Sequence, residues 1–297
     1  MVGFGRLWDC VSGLRGAASA RVGVRGTRSA GADVSRLFPW RLAVRLAMRD
    51  VALRYRGSLG GLAWLVLAPL LLLSVYTLVF SFIFEARWRG GPRLGGGGPG
   101  EFALLVFSGM LLHGFLAECL TRAPTLVLSN VNFVKKTPFP LEVLGVSQLL
   151  VALAHLVPTF AVLLIFQVVM AGPPPWTLVL VPLVVIPLAL FALGAIWALA
   201  ALTVFFRDLA QLIGLVVTAL FFLSPVLYPI DAVPAALRPV LYANPLTFPI
   251  ETLRGLLFEG VLPQPGNYLV YCAVGLICAG AGLGLFRLLR DGFADAL

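Results

Sequence analysis

Apolar residues arrive along this chain in long runs, without the alternation of a half-buried strand or the polar face of a soluble helix. The runs are Gly57 to Phe84, Phe102 to Leu120, Val143 to Phe206, Leu209 to Ile230 and Tyr268 to Phe286. A helix rises about 1.5 Å per residue, so crossing a hydrocarbon core of about 30 Å takes some 20 apolar residues. Val143 to Phe206 holds no Asp, Glu, Lys or Arg and is too long for one crossing. Gly172-Pro173-Pro174-Pro175 splits it, because proline lacks the amide donor and clashes with the preceding turn. The pattern therefore predicts six spans, at about 61–84, 102–122, 146–170, 176–204, 210–230 and 268–288.

Composition agrees with that reading. Hydrophobic residues make up 60% of the 297 positions and charged residues 12%, about half the share of a soluble domain. That excludes a disordered chain, a coiled coil and a water-soluble enzyme. The four cysteines, Cys10, Cys119, Cys272 and Cys278, form no CxxC pair, so neither a disulfide framework nor a metal centre is signalled.

Charge sets the orientation. Twenty of the 22 basic residues are arginines, Lys135 and Lys136 being the only lysines. With both termini inside, 17 basic residues fall in inner segments and five outside, as the positive-inside rule requires. Arg87, Arg89 and Arg93 run against this trend in an outer loop. Nucleic acid is not an expected partner, because the arginines concentrate before the first span and not on a hydrophilic module. Residues 1–33, small and scattered with arginine, read as a disordered extension preceding a membrane domain at 34–297.

Four segments carry more than hydrophobicity. From Arg36 to Arg56, residues Arg41, Arg45, Arg49 and Arg56 share an arc of about 80° on a helix, with Val44, Met48, Val51 and Tyr55 as a separate stripe. Such a helix lies in the interface with its arginines toward lipid phosphate, or else serves only as a basic anchor. The loop after span two reads Asn130-Val-Asn-Phe-Val-Lys-Lys-Thr-Pro-Phe-Pro-Leu-Glu142. Phe133 and Phe139, stiffened by Pro138 and Pro140, are apolar enough to suggest a docking surface; ordinary turn chemistry is the alternative. After span five, Val233 to Tyr242 and Thr247 to Phe258 are too short or too charged to cross and are expected to re-enter or lie on the outer face. Aromatic residues recur in spans one and five, among them Trp64, Tyr76, Phe80, Phe221, Phe222 and Tyr228. They suit either stacking against sugar rings or the interfacial belt common to span ends.

No GxxxxGK[ST] sequence occurs, and the spans carry almost none of the buried charge that ion-coupled carriers use. His113 and Glu118, about 140° apart on a helix, are expected to be satisfied helix-contact groups and not a metal or proton pair.

Taken in order, several stretches resemble the ABC-2-type permease subunits that export polysaccharide, O-antigen and teichoic acid. They are Arg54-Tyr55-Arg56-Gly57-Ser58-Leu59-Gly60-Gly61-Leu62-Ala63-Trp64 with Pro69, Phe133 to Glu142, Phe206-Arg207-Asp208-Leu209, Ser224 to Pro229, and Asn244-Pro245-Leu246. The resemblance covers about residues 36–290. It implies an all-α membrane protein of six transmembrane helices, with an N-terminal amphipathic interface helix and short re-entrant or gate helices between spans five and six. It implies a homodimer in a bacterial cytoplasmic membrane, both termini cytoplasmic, flanked by two copies of a separate ABC ATPase subunit that holds ATP and Mg. This chain would then carry no catalytic residue, cofactor or metal of its own. The implied cargo is a lipid-linked glycan, with membrane lipids as neighbours; a drug or lipid exporter is the alternative, followed by a passive channel or scaffold.

The resemblance also distributes roles. Asn132, Phe133, Lys135, Lys136, Pro138, Phe139, Pro140 and Glu142 match the segment that touches the ATPase. Arg41, Arg45, Arg49, Arg54, Tyr55 and Arg56 match the interface or gating helix. Trp64, Tyr76, Phe80, Phe221, Phe222 and Tyr228 match parts of the channel lining. One departure stands out: Gly145 occupies a position where many relatives have proline.

Overall fold

The computed structural model describes residues 40–56, 60–79, 99–131, 133 and 139–296. The extension at 1–33 and the outer arginines at 87, 89 and 93 lie outside them, as do Phe80, Asn132, Lys135, Lys136 and Pro138. Every regular element among the described residues is helical. In order they are α1 (Trp40–Tyr55), α2 (Trp64–Tyr76), α3 (Pro99–Arg122), α4 (Thr125–Leu128), α5 (Glu142–Ala171), α6 (Val181–Phe205), α7 (Leu209–Phe222), α8 (Arg238–Tyr242), α9 (Thr247–Arg254), α10 (Pro265–Arg290) and α11 (Phe293–Ala296).

Four helical segments are long and apolar enough to cross a membrane: Phe102–Arg122, Glu142–Ala171, Trp176–Phe205 and Pro265–Arg290. Two shorter apolar helices, Trp64–Val79 and Leu209–Phe222, fall where the first and fifth spans are expected. The fifth is shorter than the sequence reading of 210–230. Pro225 and Pro229 explain the difference, since neither can continue a helical ladder, and the chain leaves helical geometry after Phe222. Likewise Val233 to Tyr242 yields only the five-residue α8, beginning at Arg238 with Pro239 in its first turn. Thr247 to Phe258 yields α9, followed by a wide turn over Gly255–Glu259 that Gly260 closes at φ 68°.

Helix α3 is the centre of the bundle: 72% of its apolar window is buried, against 28% for α5 and 17% for α10. Leu104, Phe107, Leu112 and Leu116 of α3 head a core that also takes Leu188 and Ile196 of α6 and Ile250 of α9. A second cluster forms around Trp197, Val204, Phe286 and Phe293. Between α6 and α10 the backbones themselves touch. A side chain on Gly282 would strike the carbonyl of Gly194, one on Gly194 would strike that of Cys278, and one on Gly275 would sit 2.7 Å from that of Pro187. In hydrocarbon, where helix association depends on packing, small residues at the crossing allow that approach.

Candidate functional site

The amphipathic helix α1 packs on α5, but not by the stripe that periodicity picks out. Its buried residues are Ala43, Leu46 and Ala47. Val44, Met48, Val51 and Tyr55 instead line an open apolar groove of about 680 Å³, completed by Ala47, Ala52, Arg56, Gly61, Leu150 and Ala154. The physical reason is size: small residues let the α1 backbone approach α5, and the larger ones are left over the groove. Arg41, Arg45 and Arg49 stay exposed, Arg49 pairing only with neighbouring Asp50 at 3.1 Å. Arg54 behaves differently. Its Nη1 donates to Glu118 of α3, whose carboxylate also accepts from His155 Nδ1 of α5 at 2.8 Å. Arg122 approaches the same carboxylate at 4.0 Å, and the Tyr55 ring meets His155 edge-on at 6.0 Å. The last turn of α1 is thereby tied to two spans by charge-assisted bonds, about twice as strong as neutral ones.

The predicted docking loop is only partly described. Phe133 and Phe139 stack on each other, centroids 4.5 Å apart and planes 11° from parallel, and pack half-buried against the second cluster. Each thus satisfies much of the other's apolar surface and staples the loop shut. Pro140 is half-exposed beside them. Glu142 is buried at the first turn of α5, where a carboxylate favours the helix dipole. It accepts from Arg290 at 3.1 Å and pairs with Arg287 at 3.5 Å, joining this loop to the end of α10. The Trp197 indole donates to the Glu142 carbonyl at 2.9 Å and lies over Gly145, where any side chain would collide with the ring. That collision accounts for glycine at 145.

The aromatic residues expected to line a channel divide by exposure. Trp64 and Phe222 are open, at 40% and 61%. Tyr76 and Phe221 turn inward, Phe221 meeting His113 edge-on at 5.1 Å while His113 bonds the Val217 carbonyl at 3.2 Å. Tyr228 folds back to donate to the Phe222 carbonyl at 2.6 Å. At the other end of the bundle, α8, α9 and the start of α10 enclose a cavity of about 1000 Å³ whose lining includes Asp231, Tyr242, Phe248, Glu251, Glu259 and Tyr271.

Two functional-looking residues escaped sequence reasoning. His155 sits within a run counted as free of charge, and Arg254 reads as one more interruption of an outer segment. Both are ionisable groups in strongly apolar surroundings, and that setting was the available signal.

An all-helical bundle with four helices long and apolar enough to cross a membrane, an arginine-bearing amphipathic helix and a broken segment before the last long helix defines a multi-pass membrane protein. The shared pattern of ABC-2 type transporters matches residues 42–258, and the chain belongs to that family. It is similar to the "O-antigen export system permease protein RfbA" of Myxococcus xanthus, with 27% identity covering 89% of this chain and 98% of that protein. Two proteins of the same name from Klebsiella pneumoniae are 26% identical, covering 86% of this chain and 95% of each of theirs.

Proposed function

We propose that this chain is the permease subunit of an ATP-driven exporter that moves a lipid-linked polysaccharide across the cytoplasmic membrane. The observation that carries the reading is similarity to O-antigen export permeases over nearly the whole length of both chains. In this reading six spans cross the membrane with both termini inside, and two copies of the chain form the seam through which the glycan passes. A separate ABC subunit, also in two copies, binds ATP and Mg.

Each part of the molecule then has a task. The Phe133–Phe139 staple and the neighbouring lysines meet the ATPase. Because Glu142 pairs with Arg287 and Arg290, a push on that loop is passed to α5 and α10 together. Arg41, Arg45 and Arg49 attract the phosphate of the lipid carrier, and the groove beside α1 gives its hydrocarbon a place to rest. The exposed rings Trp64 and Phe222 offer sugar faces a platform in the seam. The segment from Pro225 to Gly260, holding α8 and α9, is the outer gate.

Copurification tests this assembly. A tagged chain coexpressed with its ATP-binding subunit is expected to bring that subunit down in equal amount, and Phe139→Ala combined with Lys136→Ala to reduce the yield several-fold. Undiminished association of the double variant would contradict the loop's assignment.

A further inference from the structure

Arg254, the last residue of α9, is 3% exposed. Burying a guanidinium costs several kcal/mol unless its donors are matched, and an apolar side chain would fill the volume without that cost. Its donors are matched with unusual completeness. Nη2 donates to the carbonyls of Leu105 at 2.8 Å and Val226 at 3.0 Å. Nη1 donates to the Pro225 carbonyl at 2.7 Å and to Glu251 at 3.1 Å. Nε faces the Leu105 carbonyl at 3.3 Å and Ser108 Oγ at 3.4 Å.

These partners belong to three segments: α3, the break after α7, and α9 itself. Pro225 and Val226 stand where the chain has left the helix, so their carbonyls need donors from elsewhere. Gly109 of α3 provides the room, since a side chain there would come within 3.1 Å of the Val226 backbone and 3.2 Å of the Arg254 guanidinium. All but one of the strong partners are backbone carbonyls or a buried hydroxyl, which neither titrate nor swing away. The exception is Glu251, whose side chain is 44% exposed.

We propose that Arg254 is a positioning residue of the outer gate. It makes α9, with α8 bonded to it through the Thr247 hydroxyl and the Leu241 carbonyl, the break after α7 and the outer part of α3 a single rigid body, so the gate travels with the fifth span and does not swing as an independent lid. The proline break after Phe222 is shaped like a hinge, and the arginine locks it. Movement of α7 therefore reaches the outer mouth without being absorbed at the break. This rests on the gate reading above.

The test uses the complete complex with its ATPase in lipid nanodiscs, carrying Leu215→Cys on α7 and Val240→Cys on α8 in a chain whose four native cysteines are replaced. Both sites are exposed, at 70% and 51%. Spin-label distances are measured without nucleotide and with trapped ATP. With one labelled copy in each dimer, the expected result is one narrow distance common to both states. With Arg254→Met the distance broadens and ATP hydrolysed per glycan exported rises several-fold; Arg254→Lys, with three donors, recovers part of the coupling. A purely structural role would lower thermal stability without altering the hydrolysis-to-export ratio. A wild-type distance that changes between states overturns the proposal, as does a Met variant that keeps both the narrow distance and tight coupling. Should that variant not assemble, the wild-type distances decide alone. A complex that exports no glycan at all would refute the exporter reading while leaving the distance comparison intact.

Discussion

Helices α6 and α10 and helices α2 and α7 are all strongly apolar, yet the two pairs are packed in opposite ways. On α6 a dozen residues are buried, and on α10 the stripe Tyr271, Gly275, Gly282 and Phe286 presses against them with backbone on backbone. On α2 only Leu73 is buried, and on α7 only Ile213. Hydropathy cannot distinguish the pairs, because a lipid-facing surface and a protein-facing surface are equally apolar. Close backbone approach does: Gly194, Gly275 and Gly282 have no room for a side chain and mark the contact completed within one chain, whereas Gly214 of α7 stands in open space. The large exposed side chains of α2 and α7, among them Leu71, Val75, Leu215 and Phe222, mark surfaces left for lipid or, in the proposed dimer, for the second copy.

That contrast can be broken most severely at its tightest point. Gly282→Leu forces α6 and α10 apart where no rotamer relieves the clash, at a cost of about 3 kcal/mol and a melting temperature lower by roughly 6–12 °C in detergent. The opposite pair should respond differently: Val75→Trp leaves the melting temperature of the isolated chain unchanged and weakens dimerisation about tenfold, roughly 1.4 kcal/mol, by sedimentation. Where α1 meets α3 and α5, Glu118→Gln removes the charge shared by Arg54 and His155. A loss of about 1–2 kcal/mol is expected, read as faster amide exchange over residues 40–55 with α6 and α10 unaffected. Changing Arg41, Arg45 and Arg49 together to Gln is expected to cut glycan export several-fold while the dimer and its ATPase assemble normally; unaltered export would remove these arginines from carrier recognition. Arg49→Ala alone should shift stability by less than about 0.5 kcal/mol, since its ion pair with Asp50 is exposed.

The sequence made the helices legible and the contacts between them much less so. Run length located the apolar segments, and Gly172 to Pro175 located the break between α5 and α6, because the physics of both is local. The ends of α7 and α8 were misjudged where prolines compete with hydrophobicity over a few residues. The packed face of α1 was missed because periodicity ranks side chains by hydrophobicity, whereas Ala43 and Ala47 are buried for being small. The ties at His155 and Arg254 were invisible for another reason: their partners, Glu118 and the carbonyls of Leu105, Pro225 and Val226, are brought near only by the fold. Phe133 and Phe139 are expected from their apolarity to need a partner, and in the structure each finds the other within the same loop.

The central claim is that this chain moves a lipid-linked glycan only when a separate ATPase drives it. Reconstitution into liposomes tests it directly, with the glycan supplied on one leaflet and its appearance on the other followed by lectin binding. Transport should require both the ATPase subunit and ATP, and should stop when either is withheld. Translocation by this chain alone, or by one copy beside an inert partner, would contradict the account.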